Sequence, residues 1–160
     1  MCIELKVLLL TAVANGAPPV ARNLLTTRFA QPLDGGVRFL DGQPLLGSSK
    51  TLRGILAAVL ATAATALLLG LSWQIGVTIA VCAMLGDLLS SFIKRRLRIA
   101  PAGHAPLLDQ VPESLFPLLA VRAILELSWV SILAVVIAFL LLHRMLSPLL
   151  FRLHIRDRPY

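Results

Sequence analysis

Residues Ala83–Pro117 read AMLGDLLSSFIKRRLRIAPAGHAPLLDQVPESLFP. The stretch starts inside an apolar run that extends from Ile75 to Ile93, long enough to cross a bilayer, for which about 20 apolar residues suffice. Asp87 sits within that run, and the run leaves through Lys94-Arg95-Arg96-Leu97-Arg98. Gly103-His104 and Asp109-Gln110 follow, and Pro112 and Glu113 open a new apolar segment. A carboxylate near a span is expensive in hydrocarbon, so Asp87 marks a functional position by default. Its bland alternative is a polar packing contact beside Gly86. At 1.5 Å per residue, Asp87 lies about two helical turns before the cationic block. Acids and cations on a short connection between spans suit phosphates and a metal at a membrane surface.

Composition agrees with a membrane setting. The chain has 160 residues, 58 % of them hydrophobic and only 14 % charged, with a mean hydropathy of +0.85. A soluble globule of that length would lack the polar surface to cover such a core. The length implies a single domain, residues 1–160. The net charge of +7 is first a topology signal, because Lys and Arg stay cytoplasmic; nucleic acid is not an expected partner. Cys2 and Cys82 are far apart and suggest neither a disulfide framework nor a zinc site. The N-terminus lacks a basic n-region and a small-residue cleavage site and reads as a retained span.

Working outward, Val7–Val13 is apolar, but Asn15-Gly16-Ala17-Pro18-Pro19 interrupts it. Prolines remove backbone donors and should break the helix here, leaving either an exit turn or a polar cavity wall. A polar loop then runs from Arg22 to Arg53. It holds Asp34-Gly35-Gly36 and Asp41-Gly42, which favour tight turns. Gly47-Ser48-Ser49-Lys50-Thr51 follows, just before a helix, where backbone donors attract phosphate. The spacing is not that of a P-loop, and Lys50 and Arg53 also suit plain anchors of the next span. Gly54–Leu71 is an apolar segment of Ala, Thr and Leu suited to close helix packing, and Ser72-Trp73-Gln74 forms a short turn. Val111–Leu127 carries Arg122 and Glu126, four apart and able to pair on one helix face. Ser128–Leu142 is apolar and ends at His143-Arg144. Pro148–Tyr160 is a basic tail suited to an anionic membrane surface, with His143 and His154 at the interface. These segments predict an all-α integral membrane protein with about five transmembrane helices. With the N-terminus outside, the basic loops 22–53 and 94–112 and the tail all face the cytoplasm, giving two functional cytoplasmic loops. His104 has no partner at zinc spacing, whereas Asp87 and Asp109 suit a hard cation such as Mg²⁺.

Several motifs then occur in order. They are Asn15-Gly16-Ala17-Pro18-Pro19, Leu33-Asp34-Gly35-Gly36 with Asp41-Gly42, and Leu46-Gly47 through Lys50-Thr51 and Arg53-Gly54. Gly86-Asp87-Leu88-Leu89-Ser90-Ser91-Phe92-Ile93-Lys94-Arg95-Arg96 and Leu108-Asp109-Gln110-Val111-Pro112-Glu113-Ser114 complete the series. Together they resemble the CDP-archaeol synthase family and, more distantly, the membrane phosphatidate cytidylyltransferases. Ser90, Lys94 and Arg95 match the latter's signature, and His104 and Asp109 keep its spacing. Ala105-Pro106 stands in place of its glycines, and Gln110 in place of its arginine.

The resemblance implies an enzyme: a CTP-dependent nucleotidyltransferase, integral to the cell membrane. It would move CMP from CTP to a membrane lipid phosphate and release pyrophosphate. It implies Asp87, Lys94, Arg95 and Asp109 as catalytic residues, with Asp87 and Asp109 holding Mg²⁺. Asn15, Asp34, Asp41, Lys50, Arg53, Ser90, Arg96 and His104 would contact CTP or the lipid phosphate. The competing reading is a small transporter or assembly subunit using Asp87 and the Arg122/Glu126 pair along a path. That reading asks for polar residues spread across the membrane, while here they gather on two loops of one face.

Overall fold

The structure is a computed structural model that describes residues 1–25, 28–99 and 105–152. Among the described residues five helices form in the order α1 (Ile3–Leu25), α2 (Leu52–Leu68), α3 (Trp73–Arg96), α4 (Pro106–Val121) and α5 (Trp129–Arg152). The chain is an all-α integral membrane protein. Among the described residues the only extended pairings are two isolated bridges, Pro32 with Thr51 and Arg38 with Pro44. α1 and α3 are long and apolar enough to cross a bilayer. Their 23 and 24 residues reach about 35 Å at 1.5 Å each.

Besides α4 starting at Pro106, which puts Asp109 on a helix rather than in the 94–112 loop, and α5 continuing past His143-Arg144 to Arg152, two boundaries differ from the sequence expectation. Helix α1 does not break at Asn15–Pro19 but runs through both prolines to Leu25. The missing donors are tolerated because a neighbouring helix covers the site. A Cβ built on Gly54 of α2 would lie 3.2 Å from the Pro18 ring. The second difference concerns α4, which ends at Val121, so Arg122 and Glu126 never share a helix face. Arg122 instead stacks over the Trp129 indole at 4.2 Å, a cation–π contact. Glu126 is exposed at a left-handed φ of 52° in the turn into α5.

Small residues set the packing. A Cβ on Gly76 of α3 would sit 2.7 Å from the Ala63 Cα and the Thr62 carbonyl of α2. One on Gly86 would strike the Pro112 carbonyl of α4 and lie 2.8 Å from the Glu113 nitrogen. Close backbone approach of this kind drives helix association where no hydrophobic force acts between helices in lipid. The most extensive contact in the molecule is α3 with α4. One apolar cluster joins Val7, Leu10, Ile79, Leu118, Val121 and Val135. A second, of Ala14, Ala58, Ala80, Ala83 and Met84, lies between α1, α2 and α3. Large apolar side chains such as Leu60, Leu68, Val130 and Leu133 point outward, as a lipid-facing surface requires.

Candidate active site

Helix α3 carries the site because of its spacing. Asp87 and Lys94 are seven residues apart, two turns, and therefore share one face. Ser90 and Ser91 lie between them and are buried. This polar stripe cannot face lipid, so it faces α4 and the loop between α1 and α2. The Ser90 hydroxyl lies 2.8 Å from the Gly86 carbonyl and 2.6 Å from that of Leu108. Its single proton is shared between them and ties the first turn of α4 to α3. On α4, Asp109 and Glu113 are four apart and turn the same face inward.

The loop supplies the countercharges. Thr51 caps α2, its hydroxyl accepting from the Gly54 N–H. That cap aims the preceding residue, Lys50, across to α3. Its ammonium lies 2.5 and 2.6 Å from the two Asp87 carboxylate oxygens. Lys94, itself nearly buried, reaches Asp109 of α4 at 2.7 Å. Two ion pairs thus join three segments far apart in sequence. Arg95 is buried, with its guanidinium 3.9 Å from the position a Gly47 Cβ would take and within electrostatic range of Asp109. Glu113, buried on α4, turns its carboxyl toward Asp87.

The loop itself is a hydrogen-bonded unit. Phe39 N–H donates to the Gln43 carbonyl, Leu45 N–H to Val37, and Leu33 N–H to Lys50. Asp34 closes it: one oxygen accepts from the Leu46 and Gly47 N–H groups at 2.9 and 3.0 Å, and the other from Gly36 at 3.0 Å. Partial burial pushes the Asp34 carboxyl up, but the donors Gly47, Leu46 and Gly36 together outweigh it and hold it below the ordinary carboxylate value. Asp41 accepts from Gln43 N–H at 3.0 Å and pairs with Arg96 at 3.1 Å. Arg53, nearly buried, donates to the Arg28 carbonyl at 2.7 Å.

Of the candidate residues, the structure brings together Lys50, Asp87, Ser90, Lys94, Arg95 and Asp109. Asp34, Asp41, Arg53 and Arg96 hold the loop in place. Asn15 donates to the Thr11 carbonyl within α1, at 3.0 Å. His104, His154, Arg156 and Arg158 lie outside the described residues. The residue sequence reasoning passed over is Glu113, although its spacing of four from Asp109 was the signal for a shared face. Among the described residues no three acids, histidines or cysteines form a ready metal cage. The donor chemistry fits a different arrangement: Mg²⁺ takes one or two carboxylates and completes its shell with phosphates and water. Asp87 and Asp109, on packed helices, have the donor chemistry for such a pair.

The profile of the family described as CarS-like, CDP-archaeol synthase, matches residues 8–160. The chain belongs to the CDP-archaeol synthase family. It is 38 % identical over 157 residues to the CDP-archaeol synthase of Hyperthermus butylicus, with 92 % of this chain and 89 % of the relative covered. The CDP-archaeol synthase of Sulfurisphaera tokodaii is 33 % identical, over 92 % of this chain and 89 % of that one. A solved structure, described as an intramembrane enzyme for archaeal membrane lipids biosynthesis, superposes with a TM-score of 0.74. It is 36 % identical, and the match covers 86 % of this chain and 88 % of that chain. With its family, the chain is a membrane-resident, CTP-dependent cytidylyltransferase of lipid biosynthesis. The family's chemistry transfers a cytidylyl group from CTP to give a CDP-lipid and calls for a divalent metal.

Proposed function

We propose that this enzyme transfers CMP from CTP to a membrane lipid phosphate of the archaeal-type, ether-linked isoprenoid class, giving a CDP-lipid and pyrophosphate. The observation that carries the reading is the pair of lysine–carboxylate contacts, Lys50 with Asp87 and Lys94 with Asp109, which draws loop, α3 and α4 to one point. The names of the relatives support the acceptor class. The basic loops and tail support a site open to the cytoplasm.

The chemistry follows from charge. A lipid phosphomonoester already carries roughly −1.5 to −2 at neutral pH, so its oxygen needs no strong base. It attacks the α-phosphorus of CTP. The new P–O bond forms as the bond from that phosphorus to the bridging oxygen of the β-phosphate breaks, and the electron pair leaves with pyrophosphate. The obstacle is repulsion between two polyanions, so catalysis is positioning and neutralisation. Lys94 and Arg95 face the triphosphate and the departing pyrophosphate, while Lys50, from the loop, steadies a second phosphate. Ser90 holds the start of α4 against α3, and Arg53 holds the loop's entry. Asp87 and Asp109 are the residues that would hold Mg²⁺, which when bound supplies charge neutralisation on the phosphate oxygens.

The test is incorporation of label from α-phosphate-labelled CTP into lipid by the purified protein, against a panel of ether- and ester-linked lipid phosphates with and without Mg²⁺. Ether acceptors should dominate, and Asp87→Asn should abolish transfer while the protein still elutes as a folded species. Wild-type turnover by Asp87→Asn sinks the assignment of that carboxylate, and preference for ester acceptors sinks the acceptor class.

A further inference from the structure

Lys94, Arg95 and Arg96 are consecutive, but successive helical residues are rotated by about 100°, so three neighbours cannot serve one point. Lys94 reaches α4 and Arg95 lies beneath Gly47. Arg96, the last residue of α3, turns toward the tip of the loop instead. Its Nη2 donates to the Pro44 carbonyl at 2.7 Å, and its Nε lies 3.1 Å from the Asp41 carboxylate. Its guanidinium lies 4.6 Å from the Phe39 ring centre and 4.9 Å from that of Phe92. The two rings meet edge to face at 5.4 Å. One side chain thus joins a carbonyl, a carboxylate and a ring of the loop to a ring of α3.

We infer that Arg96 is a positioning residue, a latch that docks the loop of residues 33–47 on the end of α3 and thereby fixes where Lys50 meets Asp87. The loop moves as one piece because its own hydrogen bonds and the Asp34 closure make it so. It meets α3 at the tip, through Arg96 and Phe92, at Gly47, beneath which Arg95 lies, and just past its base, through the Lys50–Asp87 pair. Fixing the tip therefore sets the angle of the base. A planar guanidinium can stack, donate and pair at once. An ammonium is one point of charge and cannot.

The consequence for CTP rests on the proposed function, and three single variants and one double variant of the full chain in lipid nanodiscs separate the two. Arg96→Ala and Arg96→Lys should raise the KM for CTP alike, with kcat changed less. Asp41→Ala should raise that KM too; were Arg96 a phosphate ligand, removing a nearby acid would lower it. Arg96→Ala combined with Asp41→Ala should be no worse than the poorer single change, because both open one latch. Amide exchange at residues 39–47 should quicken about tenfold or more in every variant, as local opening becomes easier. Asp41 is exposed, so Asp41→Ala keeps the test informative if Arg96→Ala folds poorly. A wild-type KM for Arg96→Lys, additive losses in the double variant, or unchanged loop exchange overturns the latch. Faster exchange with an unchanged KM overturns the loop's positioning role and leaves cytidylyl transfer, tested by Asp87→Asn, standing.

Discussion

Gly86→Ala should be damaging far beyond the one methyl it adds. The new Cβ would collide with the Pro112 carbonyl and lie 2.8 Å from the Glu113 nitrogen. These are backbone atoms, so no rotamer change can make room. Overpacking of this kind costs about 1–3 kcal/mol. Against it stands the gain of replacing glycine within a helix, about 1 kcal/mol. Because the struck atoms are backbone, the cost lies toward the upper end of that range, and a net loss of up to about 2 kcal/mol remains. The structure relieves it by moving α4 away from α3. That motion carries Asp109 from Lys94 and strains the Ser90 bond to the Leu108 carbonyl, 2.6 Å long. Misplacement of a reacting array by about 1 Å costs on the order of 100-fold in rate. The assay is kcat for CMP transfer in nanodiscs, paired with the midpoint of thermal inactivation. Gly86→Ala should lose about two orders of magnitude in kcat with only a modest fall in midpoint. If Gly86→Ala keeps wild-type kcat and midpoint, the close approach of α3 and α4 is not what sets the site.

Two further outcomes follow from the charges. Lys94→Met leaves Asp109 without its 2.7 Å partner; kcat/KM for CTP should fall about 100-fold or more, and values within threefold of wild type would refute the pairing's role. Asp34 is held below its ordinary value, so its contribution is present above the unfolded carboxyl value, about 3.9. It is lost as the pH falls through the lower folded value. Amide exchange of residues 36–47 should therefore be insensitive to Asp34 titration at neutral pH, apart from intrinsic chemistry, and should quicken in strong acid. Asp34→Asn, which has one acceptor oxygen where Asp34 uses two, should quicken it at pH 7 by about fivefold, for about 1 kcal/mol lost. Unchanged exchange in that variant refutes the closure.

The helices were legible because apolar runs in this chain are long and their interruptions few. Asp87 and Lys94 could be placed on one face by counting turns. What composition could not show was whether Pro18-Pro19 ends a helix. That depends on a neighbour of Pro18, Gly54, thirty-six residues away in sequence. The same holds for Arg122 and Glu126, whose spacing suits a pair only while the helix continues past Val121. Arg96 looked like one more phosphate cation because sequence shows adjacency, and helix rotation separates what sequence places side by side. Glu113 was overlooked for the opposite reason: it sat at the edge of an apolar segment, where its spacing from Asp109 went uncounted.

The ion pairs answer two demands at once. A lone carboxylate or ammonium at the membrane boundary costs several kcal/mol to desolvate. Asp87 and Asp109 each keep a lysine within 2.7 Å, and that contact offsets part of the cost. The lysine in each case comes from a different segment than its acid: Lys50 from the loop against α3, Lys94 from α3 against α4. Charge pairing therefore also fixes tertiary register, work that apolar contact does poorly between helices surrounded by lipid. On the proposed function, an incoming triphosphate would compete for those same lysines, and a cation for those same acids, so the groups that bring the loop, α3 and α4 together would also be the groups the reaction uses. That explains why the supporting contacts, Ser90 to Leu108, Gly86 against Pro112 and Arg96 to the loop tip, do not themselves depend on Lys50 or Lys94. They keep the three segments in place while the ion pairs exchange partners.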